Sequence, residues 1–145
     1  MEIYTIGFTK KSAREFFERL RTAGARKVID VRINNTSQLA GFTRREDLKY
    51  FLQSILGIDY VHEPRLAPTP ELLRSYRQKE IDWFEYEQRF FGLLSERHVD
   101  LILSREFFDG PSVLLCSEAT ADRCHRRLIV EYLDRQWKDV HAIHL

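Results

Sequence analysis

The chain has 145 residues, 23 basic and 22 acidic side chains and a formal net charge of +1. That length points to one domain over residues 1–145, able to bury roughly 68–70% of its unfolded surface without a disulfide or metal staple. Hydrophobic residues make up 43% and charged residues 31%, which excludes a disordered chain, and the near-neutral balance excludes a large basic field for non-specific nucleic-acid binding.

In chain order, residues 2–6 read as a strand ended by Gly7. Ser12 and Glu15 form a capping box for a helix whose apolar face is Phe16, Phe17 and Leu20, stopped by Gly24. Residues 27–32 read as a second strand, apolar in its middle and charged at its end. After a polar stretch, Thr43 with Glu46 is expected to cap a helix carrying Leu48, Phe51, Leu52 and Ile55, ended by Gly57. Residues 58–61 form the third expected strand. The prolines at 64, 68 and 70 then enforce a loop, and Thr69-Pro70 opens a helix running to about 79. Asp82 with Glu85 starts another, which breaks near His98 and continues towards Phe108. Residues 112–116 are a short apolar strand, Thr120 is expected to cap a helix with core face Leu128, Ile129, Tyr132 and Leu133, and 140–144 is the last strand.

Apolar strands alternating with helices predict an α/β fold. The expected form is a single three-layer domain with a mainly parallel sheet of about five strands and helices on both faces. Ligands in such sheets bind at the carboxyl ends of the strands. This directs attention to 7–9, including Thr9, then to 30–37, 62–65 and 116–127.

No apolar run reaches the roughly 18 residues of a membrane span. The start, acidic at Glu2 and soon polar, does not read as a secretory signal. Two cysteines in that setting point to a reducing cytoplasm, where such a pair is catalytic, redox-active or simply buried.

The strongest chemical pattern is Val113-Leu114-Leu115-Cys116-Ser117-Glu118 followed by Cys124-His125-Arg126-Arg127. A strand entering a helix presents unpaired N–H groups and a positive dipole, which suits an anion and acidifies a thiol. On that reasoning Cys124, placed in the first helical turn beside Arg126, is expected to have a lowered pKa. Cys116, if buried among apolar groups, is expected to have a raised one. Asp30-Val31-Arg32 closes the second strand at the same rim. Arg32 can fork onto an oxyanion or pair with Asp30 or Glu118. The loop from Asn34 to Phe42, with Ser37, offers hydrogen-bonding groups, and His62 with Glu63 follows the third strand. Cys116, Cys124, His125 and His62 could be assembled into a zinc set, but no CxxC or HxxxH is present and no metal is expected. Walker A and GxGxxG motifs are absent, so no cofactor is expected either.

The chain resembles the DUF488 family of small α/β proteins, which has no established general function. The resemblance rests on Tyr4-Thr5-Ile6-Gly7, Asp30-Val31-Arg32, Ser37 with Gly41-Phe42, and Gly57-Ile58-Asp59-Tyr60-Val61-His62. Leu114-Leu115-Cys116-Ser117-Glu118 with Cys124-His125-Arg126 completes it. Here Phe8-Thr9 stands where the family often has His-Ser after the first glycine, and Asn34 to Thr36 stand in place of a Pro and Arg. A looser analogy links the Asp-Val-Arg ending and strand-tip cysteine to rhodanese-type sulfurtransferases and cysteine phosphatases, without their glycine-rich Cys-to-Arg cradle.

These readings assign catalytic roles to Cys116, Cys124, His125, Glu118 and Asp30, and substrate-binding roles to Arg32, Arg126, Ser37, His62 and Thr9. The chemistry expected is thiol-dependent action on a small anionic ligand: sulfur transfer, thioester or phosphoester chemistry. The alternative is a non-catalytic module for a nucleotide or nucleic-acid end, using the same arginines with Phe42, Tyr60 and Trp83. A third reading makes the cluster only a polar network.

Overall fold

Runs such as Val28-Ile29 and Val113-Leu114-Leu115 are too short and too uniformly apolar for an amphipathic helix, and they form strands covered on both sides. A computed structural model describes residues 1–36, 41–118 and 123–145. Its strands are β1 (Glu2–Gly7), β2 (Lys27–Asp30), β3 (Asp59–His62), β4 (Ser112–Cys116) and β5 (His141–His144). They make one five-stranded sheet in the order β3-β2-β4-β1-β5, and every neighbouring pair is parallel.

Alternation along the strands feeds two cores. Ile29 and Leu114 face one side, packed with Phe90, Leu94, Leu128 and Ile129. Val28, Val113 and Leu115 face the other, packed with Phe16, Phe17, Leu20 and Leu48. The second side is covered by α1 (Ala13–Thr22) and α2 (Arg45–Phe51), which continues into a π-helical turn, Leu52–Leu56. The first is covered by α3 (Pro70–Arg77), α4 (Trp83–Glu96), α5 (Val99–Ile102) and α6 (His125–Trp137). Among the described residues no helix is long and apolar enough to cross a membrane.

The local start signals act as expected. Ser12 Oγ accepts from Glu15 N at 3.1 Å, Thr69 Oγ1 from Leu72 N at 3.1 Å, and Asp82 Oδ1 from Glu85 N at 2.8 Å. Each such cap contributes about 1 kcal/mol. The break after α4 falls at His98, whose φ of 53° is left-handed.

Some boundaries differ. Thr43 does not cap α2; it is buried in a short 3-10 turn and its carbonyl is taken by Arg32, so Arg44 precedes the helix without a side-chain cap. The second strand ends at Asp30, although Val31 N–H still reaches Leu115 O at 3.0 Å. The third strand lies one residue later than expected, and the fifth starts at His141. Cys124 is the N-cap of α6, not a member of its first turn. Ser37 and Thr120 lie outside the described residues.

The register sets the functional edge. Asp30 aligns with His62 and with Leu115, and Gly7 aligns with Cys116. All these residues therefore lie at the carboxyl rim.

Candidate active site

β4 ends at Cys116, and the chain returns to the same place at Cys124 to begin α6. The two sulfurs are 2.7 Å apart, both thiols are free, and both residues are buried. Arg126 follows one position into α6 and is 1% exposed. Its Nη1 donates to Cys116 Sγ at 3.0 Å and to Glu118 O at 2.8 Å. Its Nε is buried without a hydrogen-bond partner. Among the described residues no carboxylate forms an ion pair with this guanidinium, and the ionisable group in contact with it is the Cys116 thiol.

Gly7 makes this approach feasible. A Cβ there would overlap the Glu118 carbonyl and Arg126 Nη1. The glycine closing β1 thus leaves the space in which loop and guanidinium cross. Thr9 fixes the neighbouring carbonyl: both its N–H, at 3.1 Å, and its hydroxyl donate to Ser117 O.

The thiol polarity is the reverse of that expected from sequence. Burial pushes Cys116 up. The hydrogen bond from Cys124, the Arg126 charge and the Glu118 backbone N–H outweigh it, and the net direction is down. Cys124 is pushed well up, first by burial, then by its hydrogen bond and proximity to Cys116. The helix-terminus argument failed because Arg126 reaches past Cys124 to put its nitrogen on Cys116. Cys116 is therefore the more acidic thiol of the pair, and Cys124 the one that holds its proton more strongly.

His125 adds a positioned neutral imidazole. Its Nε2 lies 2.7 Å from Val31 O. A carbonyl only accepts, so Nε2 carries the proton and Nδ1 is bare, 4.0 Å from Cys124 Sγ. Burial lowers its pKa to about 4, aided by the Arg126 charge and opposed by the Val31 bond.

Asp30 and Arg32 form a separate knot. Arg32 Nε and Nη2 donate to the two Asp30 oxygens at 2.8 Å each, and Nη2 also donates to Thr43 O at 2.7 Å. Asp30 further accepts from Arg32 N at 3.2 Å and Tyr60 Oη at 2.5 Å. Its acceptor capacity is thus used within the protein. His62 Nε2 meets Arg32 O at 3.1 Å and holds this knot from the edge strand.

A cavity of about 660 Å³ opens over the thiols, with Cys116, Cys124 and His125 in its wall. That volume suits a small-molecule site. Among the described residues Arg32, Arg74, Arg77 and Arg123 line it against one acidic side chain, Glu118. One side is aromatic: Trp83 stacks on Tyr86 with centroids 4.9 Å apart, and Tyr76 packs against both. Burial, then the nearby sulfurs, push the Tyr86 phenol up, keeping it protonated.

Of the residues singled out from sequence, Cys116, Cys124, His125, Glu118 and Arg126 come together, with Arg32 in the cavity wall. Asp30, His62 and Thr9 lie at the rim but outside the cavity lining. Trp83 joins the cavity, but Phe42 packs on Phe16 and Phe17, and Tyr60 bonds Asp30. Sequence reasoning missed Arg74, Arg77, Tyr76 and Tyr86, which reach the site only through folding of α3 and α4 over the sheet, and gave no role to Arg123, which stands just before Cys124. It noted Gly7 as a strand end without its steric role. Among the described residues no group of three His, Cys, Asp or Glu side chains is arranged to hold a metal ion.

The fold and rim define a parallel α/β protein with a paired-thiol site at the carboxyl edge of its sheet. The model of the family described as "Domain of unknown function DUF488" matches residues 12–133, and the chain belongs to that family. No curated protein and no solved structure gives a match.

Proposed function

We propose that this protein is a thiol-dependent enzyme in which the Cys116 thiolate attacks an electrophilic atom carried by a small anionic substrate. The observation that carries this reading is Arg126: buried, unpaired with any carboxylate among the described residues, and 3.0 Å from Cys116 Sγ. Burying a guanidinium without a counter-charge costs several kcal/mol. A thiolate at Cys116 removes much of that cost, so the fold favours the ionised nucleophile. Cys124 donates its S–H to the thiolate, and Arg74, Arg77 and Arg123 of the cavity wall receive the substrate's charge.

The test is alkylation followed by mass spectrometry at pH 7. Cys116 is expected to react faster than Cys124 and faster than free cysteine. Iodoacetate, being anionic, should gain on iodoacetamide relative to their ratio with free cysteine. Equal or slower labelling of Cys116 with both reagents refutes the reading. The Trp83–Tyr86 stack favours a second reading, a module that binds a nucleotide or nucleic-acid end. Its signature is slow alkylation together with nucleotide affinity unchanged by Cys116→Ser.

A further inference from the structure

A nucleophile's nearest neighbour restricts the chemistry it can complete. An acyl or phosphoryl group on Cys116 has to be released by activated water. The atom 2.7 Å from Cys116 Sγ is instead a second thiol sulfur. The His125 imidazole has its Nε2 fixed on Val31 O, and its other nitrogen lies beside the second thiol, 4.0 Å from Cys124 Sγ. A thiol in that position completes one kind of reaction well, the resolution of a sulfur adduct by formation of an intramolecular disulfide.

From this we infer that Cys116 and Cys124 form a two-electron dithiol centre that exchanges with small anionic disulfides held in the arginine-lined cavity. The inference rests on Cys116 being the nucleophile and adds the class of substrate and the role of Cys124. In the first step the Cys116 thiolate attacks one sulfur of a substrate X–S–S–X. The Cys116–S bond forms, the substrate S–S bond breaks, and its electron pair leaves on the first X–S⁻. In the second step Cys124 sulfur attacks Cys116 Sγ. The Cys116–Cys124 bond forms, and the second X–S⁻ departs and takes up the proton that Cys124 gives up. The bare Nδ1 of His125, 4.0 Å from Cys124 Sγ, lies ready to carry that proton. The two protein sulfurs are oxidised and the substrate disulfide is reduced to two thiols.

Arg126 sets the direction of the equilibrium. In the dithiol form its buried charge faces a thiolate; in the disulfide form that negative charge is gone. The reduced form is stabilised selectively, so the disulfide is a strong oxidant.

The probe is oxidised glutathione, a disulfide with several carboxylates, added to the reduced protein. The expected product is an intramolecular disulfide, seen as loss of two hydrogens, with two glutathione thiols released per protein. Cys124→Ser should stop at the Cys116–glutathione mixed disulfide. Uncharged hydroxyethyl disulfide should react at least several-fold more slowly than oxidised glutathione when both are scaled to their rates with free cysteine. In a glutathione redox buffer, Arg126→Met should raise the disulfide-to-dithiol equilibrium constant about tenfold. Rapid alkylation of Cys116 without any disulfide product overturns this inference and leaves the nucleophile reading standing. Failure of both alkylation and exchange overturns both. A wild-type protein that halts at the mixed disulfide, with the serine variant behaving identically, removes the resolving role of Cys124. Time-resolved trapping of the wild type reads the same intermediate without relying on the variant's fold.

Discussion

Two buried arginines stand at the same rim and are held in opposite ways. Arg32, 6% exposed, has a carboxylate across its fork and a backbone carbonyl on one nitrogen. Arg126, 1% exposed, has a sulfur and a carbonyl on one nitrogen, and its Nε has no partner. The first is neutralised within two residues of sequence by Asp30, which also holds Tyr60, and it fastens the strand end to Thr43. The second has no fixed counter-charge among the described residues, so its field acts on the thiols. The same side chain is architecture in one place and, on the proposed function, a tuner of reactivity in the other. His125 bridges the two regions, bonding the carbonyl between Asp30 and Arg32 from the position just before Arg126.

The contrast is broken most severely by Asp30→Ala. This leaves Arg32 buried and unpaired, and we expect a loss of about 3–5 kcal/mol in urea unfolding. Acid breaks the bridge next. His125 has a folded pKa of about 4 against roughly 6.5 unfolded, so between those values the unfolded chain binds more protons. Stability therefore falls as pH drops from about 6.5 towards 4, by a contribution on the order of 3 kcal/mol. His125→Gln should flatten that part of the pH profile.

Gly7→Ala tests the crossing point beside Arg126. The added methyl group has to displace backbone at Glu118, and overpacking of this kind costs about 1–3 kcal/mol. Thermal unfolding measures the loss, and Cys116 alkylation should slow with it. The smallest stability effect is expected for Arg126→Met, which removes a buried charge that has no carboxylate to strand. Cys116 then takes up a proton, so no charge is left stranded, and a change within about 1 kcal/mol is expected, as when both members of a buried charge pair are replaced by apolar groups. The same substitution should raise the pH midpoint of Cys116 alkylation and slow labelling at pH 7 about tenfold. A large stability loss with unchanged thiol reactivity would show that the two arginines do the same work.

Features set by near neighbours were legible in the sequence. The Ser12, Thr69 and Asp82 caps each depend on a residue three positions on, and the break at His98 interrupts one amphipathic run. The apolar strands and the carboxyl-end rule brought Cys116, Cys124, His125 and Arg126 to one place. The order of the two thiols was not legible, because it depends on which sulfur Arg126 Nη1 reaches, a matter of a few ångströms across a loop. Arg74 and Arg77 were missed because nothing local tells which face of α3 will close a cavity, and Arg123 lay within the 116–127 stretch without a role of its own. Thr43 had the right chemistry for a cap, but its carbonyl was claimed by an arginine from another strand.

The sheet order also has a consequence in time. β1 pairs with nothing near it in sequence: Tyr4 aligns with Val113, and Glu2 with His141. Parallel contacts across such separations close large loops before any ladder bond forms, and they arise slowly. During refolding, β2 and β3 have the shortest wait for one another, whereas β1 has to be docked between two strands from the far end of the chain. Because Gly7 belongs to that strand, the niche beside Cys116 matures only when it docks. Recovery of thiol reactivity should therefore lag behind recovery of helical signal in a stopped-flow refolding experiment.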